Sequence, residues 1–371
     1  MNEAEQALTG ISYRGIQADA YFSLRVILQL GDLGAAGSYV AQILAPWYAL
    51  YLHEGRRVLR VRLPQLHTLM SVEASQTFEQ SRHGLKMFLD RKRDIATYES
   101  YFAEIETAHR ARFMARVQPI FRGLADDLGV TTYRGKLVMT THGVAFALGL
   151  EPTAILDEDM GGRIKRLWHE AGQSFSMAAL AVDGPAPAVV GSWEADQFAY
   201  RDVKARKFYA SVFTGPEYPH LNAVLLHYVG MINAIDLLFP IVVDLESDEY
   251  AIFKMRYLVT AHVLGSLRKL AADDRTLNAE STEHLRRLVE EVPSPVSTER
   301  SWLRNLLVHY EPNPKTDLAK FDRDRLLSGI VSMAEVPEDL DGLIEQTNQN
   351  LTHLADGLNA WMAQPGARTG R

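Results

Sequence analysis

The chain of 371 residues contains no cysteine. That single absence removes disulfides, thiolate nucleophiles and cysteine-based zinc sites, and it agrees with a reducing compartment. Long apolar runs are missing too. The two greasiest stretches, "YVAQILAPWYALYL" and "MINAIDLLFPIVV", are interrupted by Gln, Pro or Asp and fall short of the roughly 20 residues that cross a bilayer. The opening "MNEAEQALTGISYRG" is acidic and polar, without the basic start and apolar centre of a signal peptide. These absences predict a soluble, cytoplasmic protein with no membrane contact.

A basic excess is also lacking. Lys and Arg total 39 against 46 Asp and Glu, for a net charge of -7. Proteins that coat nucleic acid present a strongly basic face, so any contact with nucleic acid is expected to be transient and confined to a cleft. No phosphate-cradling glycine motif, H-E-x-x-H helix or G-x-S-x-G elbow occurs. Asp157, Glu158 and Asp159 read as a solvated helix start rather than a metal site, and His53-Glu54 and His169-Glu170 as isolated surface pairs. No metal and no cofactor is expected.

What is present is an ordinary globular composition, 47% hydrophobic and 23% charged. The length exceeds that of a usual single core, which predicts two domains. The Gly- and Pro-rich "AVDGPAPAVVGSW" at 181–193 marks the boundary, giving a helical domain of unknown role at 1–190 and a second helical domain at 191–371. Apolar residues recur at three- and four-residue spacing through 19–52, 71–124, 221–240, 248–272, 281–292, 297–310 and 336–364. The fold class that follows is mainly α, a helical bundle with a small β-hairpin or sheet in the N-terminal half. "GVTTYRGKLVMTT" at 129–141 reads as a hairpin and "RRVLRVRLP" at 56–64, with its period of two, as a strand. Arg286 and Arg287 read as solvated helix charges.

One stretch combines helical periodicity with chemistry. In "SWLRNLLVHYEPNP" (301–314), Arg304, Asn305 and His309 lie among leucines. Five Arg–His pairs in the chain have four to six residues between them, but only Arg304 is followed directly by Asn, Asp or His. On a helix Asn305 and His309 share a face, and Arg304 lies about 100° around from Asn305. Imidazole exchanges a proton near neutral pH, with an ordinary pKa of about 6.5. Guanidinium stays charged and suits a phosphate that gains charge in a transition state.

Arg304-Asn305-x-x-x-His309, set in an apolar-flanked helix, resembles the R-x(4–6)-H motif of the HEPN superfamily over roughly residues 215–365. That resemblance implies a small helical domain acting as a metal-independent endoribonuclease, with Arg304, Asn305 and His309 catalytic and two motifs facing each other across a homodimer. It also implies a role in stress response or defence. Tyr310 and Arg300 are the candidate RNA-binding residues, and residues 1–190 are left to take a regulatory partner or ligand. Two other readings stand beside it: a non-catalytic helical interaction or scaffold protein, and a small-molecule enzyme with a pocket in the N-terminal half.

Overall fold

The computed structural model describes residues 3–66, 70–89, 94–122, 125–149, 160–180, 191–242, 248–273, 275–292, 301–312, 318, 321–322, 325–334 and 339–363. The protein is mainly α-helical, as its periodicity predicts. Helices α1 (Glu3–Leu30) and α2 (Ala35–Arg62) are long, packed against each other and joined by a four-residue turn. The turn is tight because α2 begins against the end of α1: a Cβ at Gly37 would lie 2.1 Å from the Leu30 carbonyl oxygen. Helix α3 (Val72–Leu89) packs on α2, and α6 (Met160–Leu180) packs on both α1 and α2. The periodic stretch 71–124 holds α3 and a second helix, α4 (Ile95–Arg116), which starts where the Asp94 carboxylate accepts from the Thr97 backbone N–H at 2.9 Å, an N-cap.

Strands β1 (Leu128–Tyr133) and β2 (Lys136–Thr140) make the expected hairpin, with Arg134 and Gly135 both at positive φ in its turn. Both central residues of a two-residue hairpin turn of this type take that conformation. A third strand, β3 (Phe198–Val203), completes an antiparallel sheet in the order β2-β1-β3. It was not legible beforehand because most of its residues are exposed, so it carries no apolar alternation. Residues 56–64 are not a strand. They are the last turns of α2 and the start of a short 3-10 turn, with Val58 and Leu59 buried, Arg56 and Arg57 half-buried and Arg60 exposed. Over so few residues a helical Arg-Arg-x-x-Arg mimics alternation.

Short helix α5 (Thr141–Leu148) leads from the sheet, and α7 (Ala205–Tyr209) precedes the central α8 (Pro219–Leu237) and short α9 (Phe239–Val242). Helix α8 is buried on nearly every side and lies against β2, where a Cβ at Gly230 would come within 3.0 Å of the Val138 carbonyl oxygen. The segment Pro219–Ile241 is long and apolar enough to cross a membrane, but 67% of that window is buried within the protein. Helices α10 (Glu249–Ala271), α11 (Ala279–Glu290), α12 (Ser301–His309), α13 (Leu326–Met333) and α14 (Leu340–Met362) close the bundle.

Residues 181–190 of the expected linker lie outside the described residues. One buried apolar cluster contains side chains from both sides of them. Polar contacts cross as well: Lys254 Nζ meets Asp19 at 2.7 Å, Arg25 meets Asp248 at 2.9 Å, and the Asn233 amide donates to the Leu137 carbonyl at 2.8 Å.

The Asp19–Lys254 pair has both side chains almost wholly buried, so removing one partner strands a charge. Lys254→Ala is expected to lower unfolding free energy by about 3–5 kcal/mol in urea titrations, whereas the Asp19→Leu/Lys254→Met double variant should lose far less. Equal losses in the two would show that the charge pair is not the source.

Candidate functional site around His309

Helix α12 buries Leu303, Leu306 and Leu307, which fixes its rotation on the core and leaves Asn305 outward. It ends at His309. The next residue, Tyr310, has φ 54, and its N–H bonds to the Leu306 carbonyl at 3.2 Å. A left-handed residue commonly ends a helix, but it is usually glycine. Here a tyrosine takes the position because its side chain is held: the hydroxyl donates to Asp19, and the ring lies 4.0 Å from the Lys254 ammonium. The buried ion pair therefore sets where α12 stops and where His309 points.

His309 Nδ1 lies 3.1 Å from Oε2 of Glu54 on α2, and the Glu54 side chain is 1% exposed against 41% for the imidazole. Arg82 on α3 binds Glu54 Oε1 through Nε at 2.9 Å and Nη2 at 2.5 Å. Arg57 reaches Glu54 at 3.4 Å and Glu311 at 2.8 Å. Burial alone would raise the Glu54 carboxyl, but hydrogen bonds from His309 and Arg82, with the charge of Arg82, outweigh it and hold the group at about 2. The ionised carboxylate fixes the proton of a neutral imidazole on Nδ1, leaving Nε2 as the basic nitrogen. A buried carboxylate orienting a half-exposed imidazole is an arrangement suited to general acid–base chemistry.

The expected site residues are only partly gathered. Asn305 is exposed and shares the His309 face. Arg304 is half-buried, about 140° around α12 from His309, and its charge helps depress the His262 imidazole of α10, after burial, His227 and Lys269. Tyr310, expected to offer its ring to a base, is 3% exposed and stacked over Lys254; its face is occupied by the core. Arg300 lies outside the described residues. Arg286 pairs with Glu283 and Glu290, and Arg287 with Glu283, as solvated helix charges do.

Sequence reasoning missed Glu54, Arg57 and Arg82. The pair His53-Glu54 is not a surface pair, since Glu54 is buried. The available signal was the spacing His53, Arg56, Arg57, Arg60 (i, i+3, i+4, i+7), one stripe of a helix, which the strand reading of 56–64 concealed. That stripe lines a cavity of about 310 Å³ together with Leu52, Met70, Ser75, Phe78 and Glu79. A second cavity, between α2, α5, α8 and β2, offers only about 40 Å³; Thr140 and His227 are among its few polar walls. The Thr140 hydroxyl is already used there as the N-cap of α5. No group of three or more potential metal ligands occurs among the described residues. Comparison with protein-family models, curated proteins and solved structures found no match for the chain.

His142 and His227 lie in the interior, away from this site. His142 donates or accepts at the Tyr209 hydroxyl (2.7 Å) and at His109 (3.2 Å). Burial pushes His142 and His227 down to about 3. Their neutral forms are favoured in the fold, so their contribution is complete above the ordinary value of 6.5 and fades as pH falls toward 3. Glu54, depressed from 4.5 to about 2, contributes above 4.5 and loses its share as pH falls toward 2. All three act in one direction. The urea midpoint should therefore fall between pH 7 and pH 4.5, and a flat midpoint over that interval contradicts these assignments.

Proposed function

We propose that this protein is a metal-independent endoribonuclease of HEPN type, working as a homodimer in the cytoplasm on transiently bound RNA. The observation that carries the reading is the Glu54–His309 pair: a buried, ionised carboxylate aligning a half-exposed imidazole within the segment that resembles the HEPN motif. RNA brings its own nucleophile. His309 Nε2 takes the proton of a 2′-hydroxyl; O2′ bonds to phosphorus as the bond to O5′ breaks. The departing O5′ takes a proton from the imidazolium of the second copy's His309, and the products are a 2′,3′-cyclic phosphate and a 5′-hydroxyl.

Glu54 stabilises the imidazolium formed in the first step, and Arg57 and Arg82 keep Glu54 ionised. Because Arg304 stands on another side of α12, the dimer is part of the reading: Arg304 of one copy serves the phosphate held at His309 of the other, with the exposed Asn305 amide beside it. Transient binding in one cleft accords with the acidic overall charge.

The test is cleavage of total RNA in EDTA by purified protein. His309→Ala should reduce the rate by about 10²–10⁴-fold in protein that circular dichroism shows is still folded at the assay temperature. Glu54→Gln should also slow cleavage while leaving RNA binding in place, because it removes orientation rather than contact. A 2′-O-methyl substrate should resist cleavage completely. A folded dimer that cleaves no RNA under these conditions overturns the proposal in favour of an interaction role.

A further inference from the structure

The stripe His53, Arg56, Arg57 and Arg60 has no use in the chemistry above except through Arg57. All four side chains line the same cavity of about 310 Å³, which is a pocket large enough for a ligand group. Its charge is poorly compensated from within. Arg57 is engaged by Glu54 and Glu311, but neither Arg56 nor Arg60 makes an ion pair among the described residues. The nearby carboxylates are Glu79 on the wall and Glu170, whose charge reaches Arg56. Glu170 itself is bound by the Ser71 N–H and hydroxyl, each at 2.7 Å.

Arg56 and Arg60 are four residues apart, so two like charges face each other on one turn. Arg56 is half-buried, and burial, with the charge of Arg60, weakens its hold on its proton. His53 is driven toward its neutral form by burial and by Arg82. An isolated protein gains nothing from such an array. An anion entering the cavity relieves the repulsion, finds fork-shaped donors from Arg56 and Arg60, and meets a hydroxyl donor in Ser75 on the opposite wall. Leu52, Met70 and Phe78 supply apolar surface for a sugar or base attached to it.

We infer that the cavity walled by His53, Arg56, Arg60 and Ser75 is a phosphate subsite for a single-stranded RNA, holding a phosphate other than the one cleaved at His309. Arg57, shared between the cavity and Glu54, places this subsite beside the imidazole. The inference rests on the proposed ribonuclease for the identity of the strand, but binding and cleavage separate experimentally.

The probe is a fluorescent 2′-O-methyl decaribonucleotide, which lacks the nucleophile, bound to full-length protein and followed by anisotropy at several salt concentrations. Arg56→Gln/Arg60→Gln should weaken binding at least tenfold and flatten the plot of log K against log salt by about 0.7, the counterion release for the one phosphate the subsite holds. Its melting curve should stay at the wild-type position. Unchanged affinity and slope in the double variant overturn the subsite, as does wild-type protein that binds inorganic phosphate but not the oligonucleotide. Probe binding that depends on Arg56 and Arg60, with no cleavage of unmodified RNA, supports the subsite and sinks only the nuclease.

Discussion

The Asp19–Lys254 ion pair is the constraint on which the rest of the arrangement depends. It joins α1 to α10 at 2.7 Å, with both side chains essentially out of water. Burial raises the Asp19 carboxyl and lowers the Lys254 ammonium, so each charge survives only through its neighbours. Those neighbours are specific. The Tyr310 hydroxyl donates to Asp19, and the rings of Tyr310, Tyr51 and Tyr250 lie 4.0, 4.5 and 5.7 Å from the ammonium. Cation–π contacts of this kind gain strength when desolvated. A pair that would be unfavourable in a bare apolar core is thereby made into a three-way junction of α1, α10 and the end of α12.

That junction carries the site. Tyr310 ends α12 in a left-handed conformation that a non-glycine residue adopts only under outside constraint. Its anchorage places His309 and Glu311 on either side of it against α2, where Glu54 and Arg57 receive them. The imidazole is thus oriented by contacts from two directions, a rigid core behind and a buried carboxylate beside it. Preorganisation of this sort is what a proton-transferring group requires. The partners of Glu54 also explain how a buried acid stays ionised near neutrality: two guanidinium groups and an imidazole offset the loss of water.

The helices that build this region come from widely separated parts of the chain. Residues 19 and 54 supply the acids, residue 82 a cation, and residues 254, 309 and 310 the groups they hold. The segment resembling the HEPN motif is therefore supported by helices far upstream of it, and the basic stripe on α2 lies next to the imidazole although some 250 residues separate them in sequence.

Amino-acid order alone settled the helical class and most of the helices, because apolar residues at three- and four-residue spacing encode a buried face locally. It also settled the hairpin, where Arg134-Gly135 supplies the turn, and it drew attention to Arg304, Asn305 and His309. Its failures have a common cause. The run 56–64 was too short to separate a period of two from a helical stripe, and β3 was too exposed to show alternation. Only tertiary structure could pair Glu54 with His309 and turn Tyr310 inward. Those outcomes depend on which helix lies against which, a matter decided by long-range packing and by where a buried charge finds its partner, and neither is written in the spacing of neighbouring residues.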